Sequence, residues 1–159
     1  MEISLKLSKD FERCLEDLKK KYGDDKIVIG EVWEDATNKI AYGVRRKYFQ
    51  GNELDSVMNY PLKNAIIEYV LTGKAHQLYK VIREQIDNYP AHSLNCMMNI
   101  LGTHDTPRIL TVLGKSGNIK SKREDMEFET LSDYEYELGK KGLKCASLLQ
   151  YTLYGVPCI

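Results

Sequence analysis

Ile27-Val28-Ile29-Gly30-Glu31-Val32-Trp33 is the stretch on which the fold turns. Three consecutive β-branched residues with no polar alternation suit a strand covered on both faces, as in a parallel sheet. Upstream, Phe11, Cys14, Leu15, Leu18 and Tyr22 recur at helical spacing. Ser8 is placed to cap that helix, Lys19 to Lys21 complement its C-terminal dipole, and Gly23 ends it. The order is helix, tight turn, buried parallel strand.

The same grammar repeats downstream. Leu54 to Tyr60 reads as a strand stopped by Pro61, a residue suited to the first turn of a helix carrying Leu62, Ile66, Tyr69 and Val70 up to Gly73. Leu78, Val81, Ile82 and Ile86 mark a further helix as far as Pro90, and Cys96 to Leu101 is a third apolar strand ending at Gly102-Thr103-His104-Asp105. Lys115 to Glu129 is polar and reads as a surface loop. The last helix spans Asp133 to Tyr154, with its stripe at Leu143, Ala146, Leu149, Gln150 and Leu153, and Val156-Pro157-Cys158-Ile159 begins a fourth strand. Strands alternating with helices predict an α/β fold with a parallel sheet. A closed (β/α)8 TIM barrel takes about 250 residues, so residues 1–159 are read as one domain amounting to half a barrel. Apolar Ile159 falls in mid-strand, where backbone groups need cover from elsewhere, which suggests truncation.

Composition excludes several classes. The chain is 43% hydrophobic and 29% charged, with 23 basic and 23 acidic side chains, so it is globular and has no net field to gather nucleic acid or anionic lipid. Arg45-Arg46-Lys47 is a short basic run read as a solvated face. No segment is apolar for long enough to cross a bilayer, and Met1 to Leu7 lacks the core of a signal peptide, so a cytoplasmic location is expected. Cys14, Cys96, Cys145 and Cys158 form no C-x-x-C pair; reduced thiols are expected, three of them in apolar stretches as small hydrophobes. His76 and His92 have no partners at metal spacing, so neither metal nor other cofactor is expected.

Parallel α/β barrels place their chemistry at the C-terminal ends of the strands. Two ends carry candidates: Glu31 with Trp33, and His104 with Asp105 and Arg108. A glutamate beside a tryptophan next to a buried strand is expected in an apolar setting, which favours the protonated acid and suits a general acid. Asp105 is a carboxylate that the nearby Arg108 guanidinium could hold, and His104 could donate to a substrate hydroxyl. On spacing alone, an exposed strand-end glutamate and a loop ion pair remain open alternatives.

Gly30-Glu31-Val32-Trp33 resembles the fifth-strand motif of the α-amylase family of glycoside hydrolases, in which the glutamate is the general acid/base. Leu101 to Arg108 resembles the seventh-strand motif, whose His-Asp pair binds the sugar at the cleavage point. Asp55 to Pro61 is similar to the sixth-strand segment of the neopullulanase, cyclomaltodextrinase and maltogenic amylase branch, and Tyr154 to Ile159 resembles the entry to the eighth strand. One departure is Thr103, where many members carry Asn.

The resemblance implies strands five to eight of the parent barrel and a retaining enzyme acting on α-glucosidic bonds of starch-like or cyclic glucans such as cyclodextrin. Glu31 and Asp105 would be catalytic, with Trp33, His104 and Arg108 binding substrate. Calcium is implied only for parts of a parent outside this segment. The family's nucleophile is an aspartate in a G-x-R-x-D motif one helix before the acid/base. Gly43-Val44-Arg45-Arg46-Lys47 starts like that motif but follows Glu31 and has lysine in the aspartate's place. An inactive piece cut at both ends is therefore expected, prone to self-association through open edges. The rival readings are a non-catalytic assembly module and a glycosyl-transferring member.

Overall fold

The computed structural model describes residues 13–119, apart from 24, 42 and 52, and residues 129–159. Residues 13–22 are helical (α1); the cap expected at Ser8 and the apolar position at Phe11 lie outside the described residues.

Four parallel strands lie in one row. β1 (Ile29–Gly30) pairs with β4 (Ser56–Val57), a bridge from Met58 to Met98 joins β4 to β5 (Met98–Asn99), and β5 pairs with β6 (Val156–Pro157). Hydrogen bonds carry the ladder past these cores: Met58 N–H donates to Gly30 O at 2.9 Å and Asn59 N–H to Met98 O at 2.9 Å. Between β1 and β4 the chain makes a hairpin that the sequence reading did not anticipate, β2 (Ile40–Ala41) with β3 (Val44–Arg45). Gly43, at φ 76°, supplies its turn. The hairpin thus absorbs the segment that imitates the nucleophile motif.

The β-branched run is not covered on both faces. Ile27 and Ile29 are 58% and 41% exposed, while Val32 is 5% exposed and packs with Leu54, Val57, Tyr89 and Met97. Among the described residues β1 is an edge of the row. Gly30 lets Leu54 pack against the strand: a Cβ there would stand 2.4 Å from Leu54 Cδ1 and would have to displace that side chain.

The helices form where expected, with two additions. α2 (Tyr60–Thr72) is capped by Asn59, whose side chain accepts from Leu62 N–H; Pro61 sits in its first turn, and Gly73 ends it at φ 71°. α3 (Ala75–Asn88) follows. Past Pro90 comes α4 (Ala91–Asn95), and after Arg108 comes α5 (Ile109–Gly114), both too short for periodicity to reveal. Residues 115–119 turn back from α5, and the rest of the expected loop up to residue 128 lies outside the described residues. α6 (Asp133–Thr152) starts on a reciprocal capping box between Ser132 and Glu135.

α2, α3 and α6 bury Leu62, Ala65, Ile66, Leu78, Val81 and Ala146 together with Leu101. Between this core and the strands runs a buried amide network. Asn59 donates to Asn99 Oδ1 at 3.0 Å, and Gln85 donates to Asn59 Oδ1 at 2.8 Å. Asn99 donates to Tyr154 O at 2.6 Å, while Gln150 donates to Asn99 O and Cys158 O, both at 2.9 Å. A buried amide left unpaired costs about 1–3 kcal/mol, so this network selects the one register in which β4, β5 and β6 align. Burial also pushes the Tyr154 and Tyr89 hydroxyls well above the ordinary tyrosine range.

The four cysteines are free and none is buried, so the expectation of thiols packed as small hydrophobes does not hold: Cys14 and Cys145 are exposed, Cys96 and Cys158 half-buried.

Candidate active site

Glu31 leaves β1 on the same open face as Ile27 and Ile29, with Trp33 beyond it at 47% exposure. The apolar setting expected for Glu31 is not found, because its side chain stands beyond the end of the strand in contact with solvent. It is instead held by two donors. Trp33 Nε1–H and the Tyr60 hydroxyl each lie 3.1 Å from Glu31 Oε1. Oε2 accepts no bond among the described residues, leaving that oxygen free to carry and deliver a proton.

Tyr60 opens α2 directly after β4 and is 1% exposed. Trp33 stacks on its ring at 4.1 Å between centroids and 16° between planes, and Lys63 Nζ lies 5.7 Å from the centroid. The Tyr60 hydroxyl also reaches Thr103 Oγ1, at 3.5 Å, and so joins the β1 end to the β5 end. Burial pushes this hydroxyl above the ordinary tyrosine range; the Thr103 contact opposes the rise, and the hydrogen bond to Glu31 and the charges of Glu31 and Asp105 add to it. Burial alone lowers the Lys63 ammonium.

The loop after β5 is built by two threonines. Thr103 N–H donates to Thr106 Oγ1 at 2.8 Å, the Thr106 hydroxyl donates to Thr103 O at 3.2 Å, and Asp105 N–H donates to Thr103 Oγ1 at 3.3 Å. His104 Nε2 lies 3.1 Å from Asp105 Oδ2, with both side chains open to solvent. The partner of the Asp105 carboxylate is therefore His104 and not Arg108, which stands exposed at the N-cap position of α5 and bonds to neither acid among the described residues.

Glu31, Trp33, His104 and Asp105 thus gather at one end of the row, with Tyr60 and Thr103 between them, while Arg108, at the start of α5, bonds to none of them among the described residues. Sequence reasoning assigned no role to Tyr60 or Thr103. The available signal was position, since both lie within a few residues of the C-terminal end of a parallel strand. An open pocket of about 270 Å³ adjoins Trp33, bounded by Glu34, Asp35, Glu84 and Tyr89. No group of three or more histidine, cysteine or acidic side chains is placed to hold a metal among the described residues.

The sequence matches the family described as "Alpha amylase, catalytic domain" over residues 6–135. This chain belongs to the α-amylase family. A cyclomaltodextrinase from Bacillus sp is 26% identical over 161 residues, covering 100% of this chain and 23% of the relative. Another cyclomaltodextrinase, from Thermoanaerobacter pseudethanolicus, is 30% identical over 114 residues, covering 70% of this chain and 18% of the relative. This α-amylase-family chain therefore spans less than a quarter of the length of these relatives. Among solved structures, the cyclic α-maltosyl-(1→6)-maltose hydrolase of Arthrobacter globiformis in complex with maltose superposes with a TM-score of 0.69 at 20% identity, over 96% of this chain and 28% of that one. The α/β elements are thus part of the barrel fold of the α-amylase family.

Proposed function

We propose that this α-amylase-family chain supplies the proton-donor side of a retaining glycosidase site acting on α-glucosidic bonds of starch-like or cyclic glucans. The carrying observation is the double anchoring of Glu31 Oε1 by Trp33 and Tyr60, at the same end of the strand row as the His104–Asp105 pair. Two fixed donors hold the carboxyl group and leave Oε2 to protonate the departing glycosidic oxygen. Asp105 would stabilise the positive charge that develops on the sugar ring, His104 and Arg108 would donate to its hydroxyls, and Trp33 would carry the departing sugar. The parallel order β1, β4, β5, β6 supports reading these strands as the fifth to eighth of a (β/α)8 barrel.

Retention requires a second carboxylate about 5–5.5 Å from the acid, as nucleophile. The resemblance puts that aspartate in a G-x-R-x-D motif, which these 159 residues do not contain. On this reading the chain binds glucan without cleaving it.

Titration of the 15N-labelled chain with maltotetraose tests the binding half: the Trp33 indole N–H resonance should shift saturably, and no shift at tens of millimolar sugar would overturn the reading. An assay on β-cyclodextrin tests the catalytic half, where product release should match that of a Glu31→Gln control. Release clearly above the control would show that these residues contain a complete site.

A further inference from the structure

The loop after β1 forms a second pocket, remote in character from the glucan site. It is open, about 350 Å³ in volume, and its cationic side is Arg45, Arg46 and Lys47. Asn88 also lines it, and Tyr48 and Phe49 contribute aromatic wall. No aspartate or glutamate lines it, although the chain as a whole balances its charges.

Glu53, the carboxylate nearest in sequence to these cations, is buried outside the pocket lining, and those of the preceding loop are occupied elsewhere. Asp35 accepts from Thr37 N–H at 2.9 Å, from the Thr37 hydroxyl at 2.7 Å and from Asn38 Nδ2 at 3.1 Å. Glu34 is ion-paired with Lys39. Arg45 is held in place by Thr37 O, which accepts from its Nε at 3.3 Å and its Nη2 at 3.0 Å. Arg46 differs. Its Nε is fully buried and has no partner among the described residues. A buried guanidinium N–H without an acceptor carries a desolvation cost that an anionic ligand would relieve. The fork of a guanidinium matches the oxygens of phosphate, and an ammonium beside it adds a point charge.

We infer that this pocket binds the phosphate group of a small phosphorylated molecule, with Arg46 Nε donating to a phosphate oxygen. Arg45 and Lys47 add charge, and Tyr48 and Phe49 offer an apolar surface to whatever the phosphate is attached to. The site is independent of the glucan reading, because neither Glu31 nor the His104–Asp105 pair lines it.

The test uses the whole chain and three probes, inorganic phosphate, a hexose 6-phosphate and the neutral hexose, each titrated by calorimetry and by 15N NMR at low salt. Saturable binding of at least one of the two phosphates is expected, with movement of the Arg46 Nε–Hε cross-peak and no binding of the neutral hexose. Tighter binding of the hexose phosphate points to a sugar phosphate as source, and equal binding points to free phosphate. Arg46→Gln should weaken binding at least tenfold, whereas Arg83→Gln on α3 should leave it unchanged. No saturable binding of either phosphate, a stationary Arg46 cross-peak, or an equal loss with Arg83→Gln would overturn the assignment. The cross-peak measurement needs no variant, so the inference remains testable even if Arg46→Gln fails to fold.

Discussion

Trp33 and Tyr60 stack with ring centroids 4.1 Å apart, and each donates to the same oxygen of Glu31 at 3.1 Å. The stack fixes the two donors relative to each other, and the donors fix the carboxylate. Trp33 follows β1 and Tyr60 follows β4, so this arrangement exists only while the two strands hold their parallel register. The position of the acid therefore rests on the sheet and not on a loop.

Tyr60→Phe keeps the stack and removes one donor. An exchanged hydrogen bond of this kind is worth about 0.5–1.5 kcal/mol, and a loss of that size is expected in urea unfolding. Loss above about 3 kcal/mol would mean the hydroxyl does more than anchor Glu31.

The hydroxyls of Tyr60, Tyr89 and Tyr154 all lie above their unfolded value of 10.0, mainly because burial disfavours the phenolate. A group with a raised folded pKa contributes stability that is complete below the unfolded pKa and is lost as pH rises through the folded one. Stability from urea unfolding should therefore hold level near pH 8 and fall above about pH 10. Replacing Tyr154 by Phe should make that fall shallower. A flat profile up to pH 11 would contradict the burial of all three.

Much of this was legible in the sequence because local chemistry and tertiary packing agree. Pro61 and Gly73 announce α2, and the structure uses each in the expected place, with Asn59, read as a strand residue, serving as the cap. The sequence also places the start of α6 at Asp133, though not its Ser132–Glu135 capping box. What was not legible depended on distant partners. The Ile27-Val28-Ile29 run carries the same residues whether one face or both are covered, and only the folded chain shows Ile27 and Ile29 exposed. Tyr60 reads as an ordinary aromatic until Thr103, 43 residues away, comes within 3.5 Å. The short α4 and α5 have too few turns to show a period. The pairing expected between Asp105 and Arg108 failed because Thr103 and Thr106 tie the loop so that His104 reaches the carboxylate.

Asn59→Ala should be among the costliest single changes. Asn59 is fully buried; it caps α2 and bonds to both Gln85 and Asn99. Removing it uncaps the helix, at about 1 kcal/mol, and leaves two buried amides short of partners, at about 1–3 kcal/mol each. Urea unfolding should show a loss of about 3 kcal/mol or more; under about 1 kcal/mol would mean the network readily re-pairs.

Gly139→Ala sets helix propensity against packing. In a free helix, alanine is more stable than glycine by about 1 kcal/mol. Here the added Cβ would lie 2.7 Å from Leu110 O, a backbone atom of α5 that cannot swing away. Overpacking of this kind costs about 1–3 kcal/mol, so the chain should be destabilised. A rise in melting temperature would show that α5 and α6 can move apart.

The two ends of the strand row make a prediction about association. At the β1 end Ile27 and Ile29 are 58% and 41% exposed; at the β6 end Val156 is 54% exposed, with Leu148 of α6 at 62% and Tyr151 at 54%. Each edge also offers backbone groups with no neighbouring strand among the described residues, a template for another chain. The chain should therefore form dimers or larger species by light scattering at micromolar concentration. Placing a lysine at Ile29 or Val156 puts a charge on an edge strand that must be desolvated for edge pairing, so Ile29→Lys combined with Val156→Lys should shift the population towards monomer. A wild-type chain that stays monomeric would show that the exposed edges do not drive pairing, and a double variant that associates as before would place the interface elsewhere.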